Sequence, residues 1–179
     1  MANTRDKIIT TAEELIMTTG SSEVTLDQIA KELGLSHAAL YKHFRNKQAL
    51  WEAVAESWFK CKIINRIHIS SSLPKEEKLH DWLWAFVNAK KTTFNTNPQM
   101  FDLNTEYIDN NPVALHNVLI NAYREMDLIM DYNDPTFEKL ELILAAFSIF
   151  TLPNFKNTWN EPGYERRFEE MWNLIKRGI

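Results

Sequence analysis

The stretch LDQIAKELGLSHAALYKHFRNKQAL, residues 26–50, decides the fold of the N-terminal part of the chain. Between Glu32 and Glu52 the chain carries three cations, two histidines and a tyrosine, and no carboxylate. The whole chain, in contrast, has 179 residues and a formal net charge of −4. A cationic window in an acidic chain indicates a local function for these side chains.

Helix start and stop signals place two short helices in this window. Thr25 opens a capping box, in which two side chains satisfy free backbone N–H groups, and this predicts a helix of about two turns. Gly34 suits the left-handed backbone that leaves the helix, and Ser36 caps a third helix that reaches Phe44. With a first helix predicted over residues 3–19, the pattern is typical of a helix-turn-helix.

The outer face of the third helix carries hydrogen-bond donors rather than acceptors. Donors and cations suit the phosphates of a nucleic acid, so the window is predicted to be positive where the chain meets DNA. The sequence pI of about 5.8 is no objection, because only the docking face must be basic. The residues on or next to this face are Ser36, His37, Ala39, Tyr41, Lys42, His43 and Lys47.

The run TLDQIAKELGLSHAALYKHFRNKQALW resembles the N-terminal signature of the tetracycline-repressor (TetR) family of transcriptional regulators. The resemblance covers residues 8–54 closely, including the Leu-Tyr-x-His-Phe run followed by Lys47, and is only architectural afterwards. It implies an all-α protein with an N-terminal three-helix DNA-binding domain, a linking helix, and a helical ligand-binding and dimerisation domain. It also implies repression that a small molecule relieves.

Each candidate DNA-binding residue has a purely structural alternative. Ser36 can be only a helix cap, Ala39 a helix filler, and Tyr41 a half-buried ring. The lysines can be solvated charges, and His43 can cap the end of its helix. The resemblance favours DNA contact, and the predicted contact residues are Thr25, Ser36, His37, Ala39, Tyr41, Lys42, His43 and Lys47.

The chain divides near the serine run that precedes Pro74. Residues 1–69 carry nine Lys and Arg against eight Asp and Glu, whereas residues 70–179 carry eleven against sixteen. The charge therefore differs by domain, at +1 and −5. We predict a DNA-binding domain over residues 1–46, a linking helix over 47–69, and a ligand-binding and dimerisation domain over 70–179.

A ligand site is predicted on a helix spanning residues 113–132. One edge of this helix, next to its apolar stripe, combines polar side chains with aromatic and Met surface, which small-molecule sites favour. Plain core packing is the alternative. The predicted ligand residues are Trp82, Phe86, His116, Tyr123, Asp127 and Met130. We expect a mainly apolar ligand with a cationic or hydrogen-bonding group facing Asp127, because a carboxylate beside an apolar cavity requires a partner.

The helix predicted over residues 136–152 is apolar around nearly its whole circumference from Leu142 onward. Such a helix needs burial on two sides, one of them against a partner, unless it is enclosed within a monomer. By resemblance, the last two helices pair with their copies in a homodimer. The predicted dimerisation residues are Phe147, Phe150, Phe168 and Trp172.

We therefore expect a transcriptional regulator that represses by binding a palindromic operator as a homodimer. Neither an enzyme nor a cofactor is expected, because metal spacings and nucleophile motifs are absent and Glu77-x-x-His80 occurs once. The chain lacks a long apolar run and an N-terminal apolar segment, which predicts a cytoplasmic protein without a membrane span. A helical protein-binding adaptor is the alternative, and it leaves the cationic window unexplained.

Overall fold

The computed structural model describes residues 3–20 and 24–179. Within these ranges the backbone forms α-helices, short 3₁₀ turns and one π-helical segment, without a β-strand, and the all-α prediction is confirmed. The helices are α1 (Thr4–Thr19), α2 (Leu26–Glu32), α3 (His37–Tyr41), α4 (Lys47–Lys62), α5 (Lys75–Thr96), α6 (Pro98–Asn104), α7 (Pro112–Met130), α8 (Glu138–Ala146), α9 (Ser148–Thr151) and α10 (Tyr164–Ile175). The π-helical segment is Thr105–Asp109, and the 3₁₀ turns are Ile64–Arg66, Pro153–Thr158 and Lys176–Gly178.

The first three helices pack around apolar side chains from each of them. Ile8 and Ile16 of α1, Ile29 of α2 and Leu40 of α3 are all at most 2% exposed. Helix α1 ends at Gly20, whose φ of +67° is left-handed and whose N–H donates to the Ile16 carbonyl. This packing holds α3 against α2, so the side of α3 opposite Leu40 lies at the surface.

Helix α4 joins the N-terminal domain to the rest of the protein. It packs against α1 on one side and against α6, α7 and the π-helical segment on the other. Its buried side chains include Trp51, Trp58 and Phe59. The helix ends at Lys62, whereas the sequence predicted it to reach residue 69. The residues that follow include Ile63 and Ile64, and β-branched side chains disfavour a helix.

The C-terminal part of the chain packs around a cluster of aromatic rings. Trp82 stacks on Phe86 within α5, with ring centroids 5.2 Å apart. Phe147 and Phe150 both contact Phe168 of α10, at centroid distances of 5.0 and 5.9 Å. Trp84 of α5 also contacts Phe168, at a centroid distance of 4.8 Å, so rings of α5, α9 and α10 pack against one another.

The helix predicted over residues 136–152 is interrupted. The backbone leaves α-helical geometry at Phe147, where the N–H bonds to the Leu144 carbonyl three residues earlier, and α9 then continues for one turn to Thr151. Phe147 is fully buried, while Leu142 on α8 is 65% exposed. Helix α8 therefore buries one face in its own chain and leaves another face open. None of the helices in the described ranges has the length and apolar character needed to span a bilayer.

Candidate nucleic-acid interface and cavity

Local hydrogen bonds fix the helix-turn-helix. The Thr25 backbone N–H donates to Gln28 Oε1 at 2.7 Å, and the Gln28 N–H donates to Thr25 Oγ1 at 3.2 Å, so the predicted capping box is confirmed. In the turn, Gly34 has a φ of +63°, and the next residue donates its N–H to the Ala30 carbonyl at 2.8 Å. Ser36 Oγ accepts from the Ala39 N–H at 3.2 Å and starts α3.

Seven of the eight predicted DNA-contact residues lie exposed on this unit. They are Thr25, Ser36, His37, Tyr41, Lys42, His43 and Lys47. Ala39 is half-buried, because its side of α3 turns toward the domain, and the neighbouring Ala38 is the exposed alanine. Leu40 and Phe44, at 2% and 5% exposure, anchor the helix from below. The polar and cationic side chains therefore share one accessible surface, which we call the α3 face.

Contacts within the α3 face orient two of its side chains. The His37 ring meets the Tyr41 ring edge-on, with centroids 5.2 Å apart. His37 Nε2 also lies 3.8 Å from an oxygen of Asp27, a carboxylate on α2 whose side chain is 87% exposed. Asp27 therefore places a negative charge beside this face. A protonated His37 would offset its repulsion of DNA phosphates.

Two further cations adjoin the α3 face. The guanidinium carbon of Arg5 lies 5.0 Å from the centroid of the Phe44 ring, a cation–π contact that holds Arg5 beside the end of α3. Arg45 is exposed in the turn before α4. Sequence reasoning missed Arg5 because it lies on α1, far from the helix-turn-helix in the chain, and no spacing rule connects it to Phe44.

A cavity of about 310 Å³ opens between α5, α7, α8 and α9. Of the predicted ligand residues, Phe86, His116 and Tyr123 line it. Its other apolar side chains include Leu115, Leu119, Leu144 and Leu152. Ser148 and Thr151 also line it. The lining thus combines a mainly apolar body with a few polar groups, as small-molecule sites do.

The inner wall of the cavity holds a buried ion pair. Lys90 Nζ donates to both carboxylate oxygens of Asp109, at 2.8 and 2.7 Å, and both side chains are 2% exposed. Asn104 adds a third hydrogen bond to Asp109 at 3.1 Å. The ammonium group also lies about 5.5 Å from the ring centroids of Phe59 and Phe101. Three hydrogen bonds and two ring contacts therefore stabilise the charges that burial would otherwise destabilise.

The outer rim of the cavity holds a second pair. His116 Nδ1 lies 2.6 Å from Glu141 Oε1, and the two side chains are 40% and 44% exposed. Tyr123 lies below the rim, where burial, reinforced by the negative charge of Glu141, raises the pKa of its phenol. Its hydroxyl therefore stays protonated at neutral pH and offers the cavity a hydrogen-bond donor.

The structure places the other three predicted ligand residues away from this cavity. Trp82 is 2% exposed and stacks on the far side of Phe86, as part of the core. Asp127 points toward the loop after α7, where Oδ1 accepts from the Asp134 N–H at 3.1 Å. Met130 lies at the last residue of α7, past the end of the cavity. Two carboxylates do line the cavity, but they belong to Asp109 and Glu141 rather than to Asp127.

Comparison with known proteins adds a sequence relationship to this geometry. The sequence profile described as "Bacterial regulatory proteins, tetR family" matches residues 8–54, which span α1 to the middle of α4. The Escherichia coli tetracycline repressor protein class C is 38% identical over 78 residues, covering 44% of this chain and 32% of that repressor. Residues 8–54 of this chain therefore match the tetR family.

Relatives and structures of similar fold extend the match beyond the tetR-family domain. The Staphylococcus epidermidis biofilm operon icaADBC negative transcriptional regulator IcaR is 26% identical over 148 residues, covering 76% of this chain and 73% of that protein. The crystal structure of BioQ with its double-stranded DNA operator has a TM-score of 0.64 at 16% identity, covering 98% of this chain and 99% of that one. The match to the E. coli repressor covers 32% of the length of that protein, so the chain spans about a third of this relative.

The four predicted dimerisation residues lie inside the chain. Phe147, Phe150, Phe168 and Trp172 are between 0% and 6% exposed, so each is covered by its own chain. The three phenylalanines contact one another and Trp172 contacts His80, so packing within the chain supplies the burial that the sequence assigned to a partner. The apolar side chains that α8 and α10 leave at the surface are Leu142, 65% exposed, and Leu174, 78% exposed. Alternation of buried and exposed positions within one apolar run is what the sequence pattern did not resolve.

Proposed function

We propose that this protein is a transcriptional repressor that binds a palindromic DNA operator as a homodimer and releases it when a small molecule enters the cavity. The observation that carries the proposal is the α3 face, in which Lys42, Lys47, His37 and Tyr41 lie exposed on a capped helix-turn-helix. The relatives support it, because the E. coli protein is named a repressor and IcaR a negative regulator. BioQ, which shares the fold, is described with its operator DNA.

The chemistry of the α3 face fits a phosphate backbone. Cationic and hydroxyl donors are the groups that position a protein on duplex DNA, and the N-terminal end of a helix adds backbone N–H groups. Ser36 caps α3 at that end, so its remaining hydrogen-bonding capacity can serve a phosphate. The predicted contacts remain Thr25, Ser36, His37, Tyr41, Lys42, His43 and Lys47, with Ala39 at the edge. Such a protein would act in the cytoplasm, where bacterial DNA lies.

Dimerisation supplies the second half-site. Two copies present two α3 faces, and helix-turn-helix dimers bind half-sites roughly 34 Å apart, one turn of the duplex. The exposed Leu142 on α8 and Leu174 on α10 offer apolar surface for this contact. We assign the dimer interface to these two helices through their exposed residues, in place of the buried Phe147, Phe150, Phe168 and Trp172.

The cavity supplies the means of release. Helix α5 and the end of the π-helical segment contribute Lys90 and Asp109 to its wall, and α4 packs against the same π-helical segment. A ligand that favours one arrangement of these elements would change the distance between the two α3 faces and shift the population to the released state. A complete reversal, from 99% bound to 99% released, requires about 5.5 kcal/mol of differential binding.

Selection of bound fragments from a pool of bacterial genomic DNA tests this function. Repeated capture on the purified protein should enrich fragments with an inverted repeat, and a duplex of the enriched sequence should bind in a gel-shift assay. Lys42→Ala and Tyr41→Phe should weaken this binding, whereas Lys75→Ala, an exposed lysine on α5, should not. If no duplex binds and the protein instead captures proteins through Leu142 and Leu174, the helical adaptor is the correct description.

A further inference from the structure

The two charge pairs of the cavity differ in how far they are from water. Lys90 and Asp109 at the inner wall are each 2% exposed, whereas His116 and Glu141 at the rim are 40% and 44% exposed. The lining between the two pairs is apolar and includes Phe86, Leu115, Leu119 and Leu144. A molecule in this cavity therefore meets a buried charge pair at one end and a hydrated one at the other.

The inner pair disfavours any ligand group with a full charge. Asp109 accepts two hydrogen bonds from Lys90 and one from Asn104. A carboxylate that recruited Lys90 would leave Asp109 buried without its counter-charge, and an ammonium that recruited Asp109 would strand Lys90 in the same way. An uncharged hydroxyl or carbonyl can hydrogen bond to either residue while the pair stays intact.

The rim favours positive charge. Glu141 is a carboxylate within reach of the cavity, and its neighbour His116 carries at most one positive charge. The Tyr123 phenol is uncharged, and the inner pair sums to zero, so the lining as a whole is neutral when His116 is protonated and negative when it is not. An anionic ligand therefore finds no lysine or arginine among the lining residues that lacks a carboxylate partner, while a cationic ligand finds Glu141, whose partner is a histidine rather than a permanent cation.

On the premise that this cavity is the effector site of the proposed repressor, we propose that its effector is an uncharged or cationic amphiphile with an aromatic or aliphatic body, and that the Lys90–Asp109 pair and Glu141 together exclude anions. The apolar lining accommodates the body of the molecule. The uncharged polar group faces Lys90 and Asp109, and a cationic nitrogen, where one is present, faces Glu141. The ring of Phe86, stacked on Trp82, supplies a rigid apolar wall.

Three probes that share a naphthalene ring and differ in charge test the proposal: naphthalenemethanol, aminomethylnaphthalene as its ammonium form, and naphthoate. Isothermal titration calorimetry without DNA measures each affinity. The wild-type protein should bind the alcohol and the amine at least about tenfold more tightly than naphthoate, a factor that corresponds to one charge-assisted hydrogen bond. Glu141→Gln should weaken the amine by a similar factor and leave the alcohol unchanged. Glu138→Gln, an exposed carboxylate on the same helix outside the cavity, is the matched control.

Three outcomes would overturn the proposal. Naphthoate could bind as tightly as the alcohol, Glu141→Gln could leave the amine affinity unchanged, or none of the probes could bind at millimolar concentration. Circular dichroism of each variant tests whether unfolding is the cause. Glu141 is 44% exposed, so replacing it with glutamine does not bury an unpaired polar group. Because these titrations contain no DNA, a failure of charge selectivity stays separate from a failure to bind an operator, which the fragment selection measures.

Discussion

Removing the negative charge of Asp109 should destabilise the whole C-terminal part of the protein. Asp109→Asn keeps the shape of the side chain but leaves the Lys90 ammonium buried without a counter-charge. The pair is 2% exposed at both ends and has hydrogen bonds of 2.7 and 2.8 Å, so water cannot replace the lost partner. Breaking a buried pair in this way costs about 3–5 kcal/mol.

That cost is large enough to measure by denaturation. For a domain of this size, 1 kcal/mol corresponds to a change of about 2–4 °C in Tm, so Tm should fall by roughly 6–20 °C. Urea unfolding, followed by circular dichroism, gives the free energy directly from the midpoint and slope. The double variant Lys90→Met with Asp109→Leu removes both charges and fills the same space, and it should recover most of the loss.

The exposed pair between Lys75 and Asp131 provides the control on the same helix. Its atoms are 3.4 Å apart and its side chains are 57% and 69% exposed. Lys75→Met should therefore cost less than about 1 kcal/mol. If Asp109→Asn costs no more than Lys75→Met, or if the double variant is less stable than Asp109→Asn, then the Lys90–Asp109 pair does not carry the energy assigned to it.

Further predictions concern the helix cap, the dimer and the buried phenols. Thr25→Ala removes the capping box and should lower the free energy of unfolding by about 1 kcal/mol. A loss of less than about 0.3 kcal/mol in urea melts would show that the cap does not stabilise the fold. Wild-type protein should sediment as a dimer at micromolar concentration, and the double variant Leu142→Glu with Leu174→Glu as a folded monomer. Phe147→Glu should unfold the chain. A folded Phe147→Glu monomer would instead support the dimer interface predicted from the sequence. Burial raises the pKa of Tyr123 and Tyr164 above the usual 10.0, so the folded state favours the protonated phenols. The free energy of unfolding should therefore fall as pH rises above about 10. Urea melts of a Tyr123→Phe, Tyr164→Phe double variant should show a smaller fall.

The helix-turn-helix was predictable because its signals are local. A capping box, a glycine after the second helix and a serine before the third each act within three or four residues, and the structure contains all of them. The third helix was predicted to reach Phe44 but ends at Tyr41, three residues earlier, although the Phe44 N–H still donates to the Leu40 carbonyl at 3.1 Å. Local signals thus predicted which segments are helical, and they predicted the residues at which the helices end less accurately.

The C-terminal part was less predictable because its decisive contacts are distant in the chain. Lys90 was visible in the sequence at an apolar position of α5, one turn after Phe86, yet its partner Asp109 follows in a π-helical segment that no periodicity indicated. Glu141 meets His116 from another helix in the same way. Sequence spacing placed His116 and Tyr123 on one edge of α7, and both line the cavity, but spacing could not show that Asp127 accepts a hydrogen bond from the loop after α7.

The dimerisation residues show a different limit. A run that is apolar on every side of a helix predicts burial but does not say which side the chain itself covers. In the structure, the bend at Phe147 and the rings of α10 cover the phenylalanines, and Leu142 is left outside. Only the packing of α10, more than fifteen residues later in the chain, decides this, so the sequence pattern identified the helix and not its interface.

The dependence of DNA binding on salt is the sharpest test of whether the α3 face contacts DNA phosphates. If Lys42 and Lys47 each neutralise a phosphate, then replacing either with Ala should reduce the slope of log affinity against log salt by about one, uniformly across duplex sequences. Fluorescence anisotropy with a labelled genomic fragment, over a series of salt concentrations, measures this slope for wild type, Lys42→Ala, Lys47→Ala and the control Lys75→Ala. Phosphate contact by the two lysines predicts a reduced slope for Lys42→Ala and Lys47→Ala and a wild-type slope for Lys75→Ala. Equal slopes in all four proteins, or no salt-dependent binding to any duplex, would contradict it.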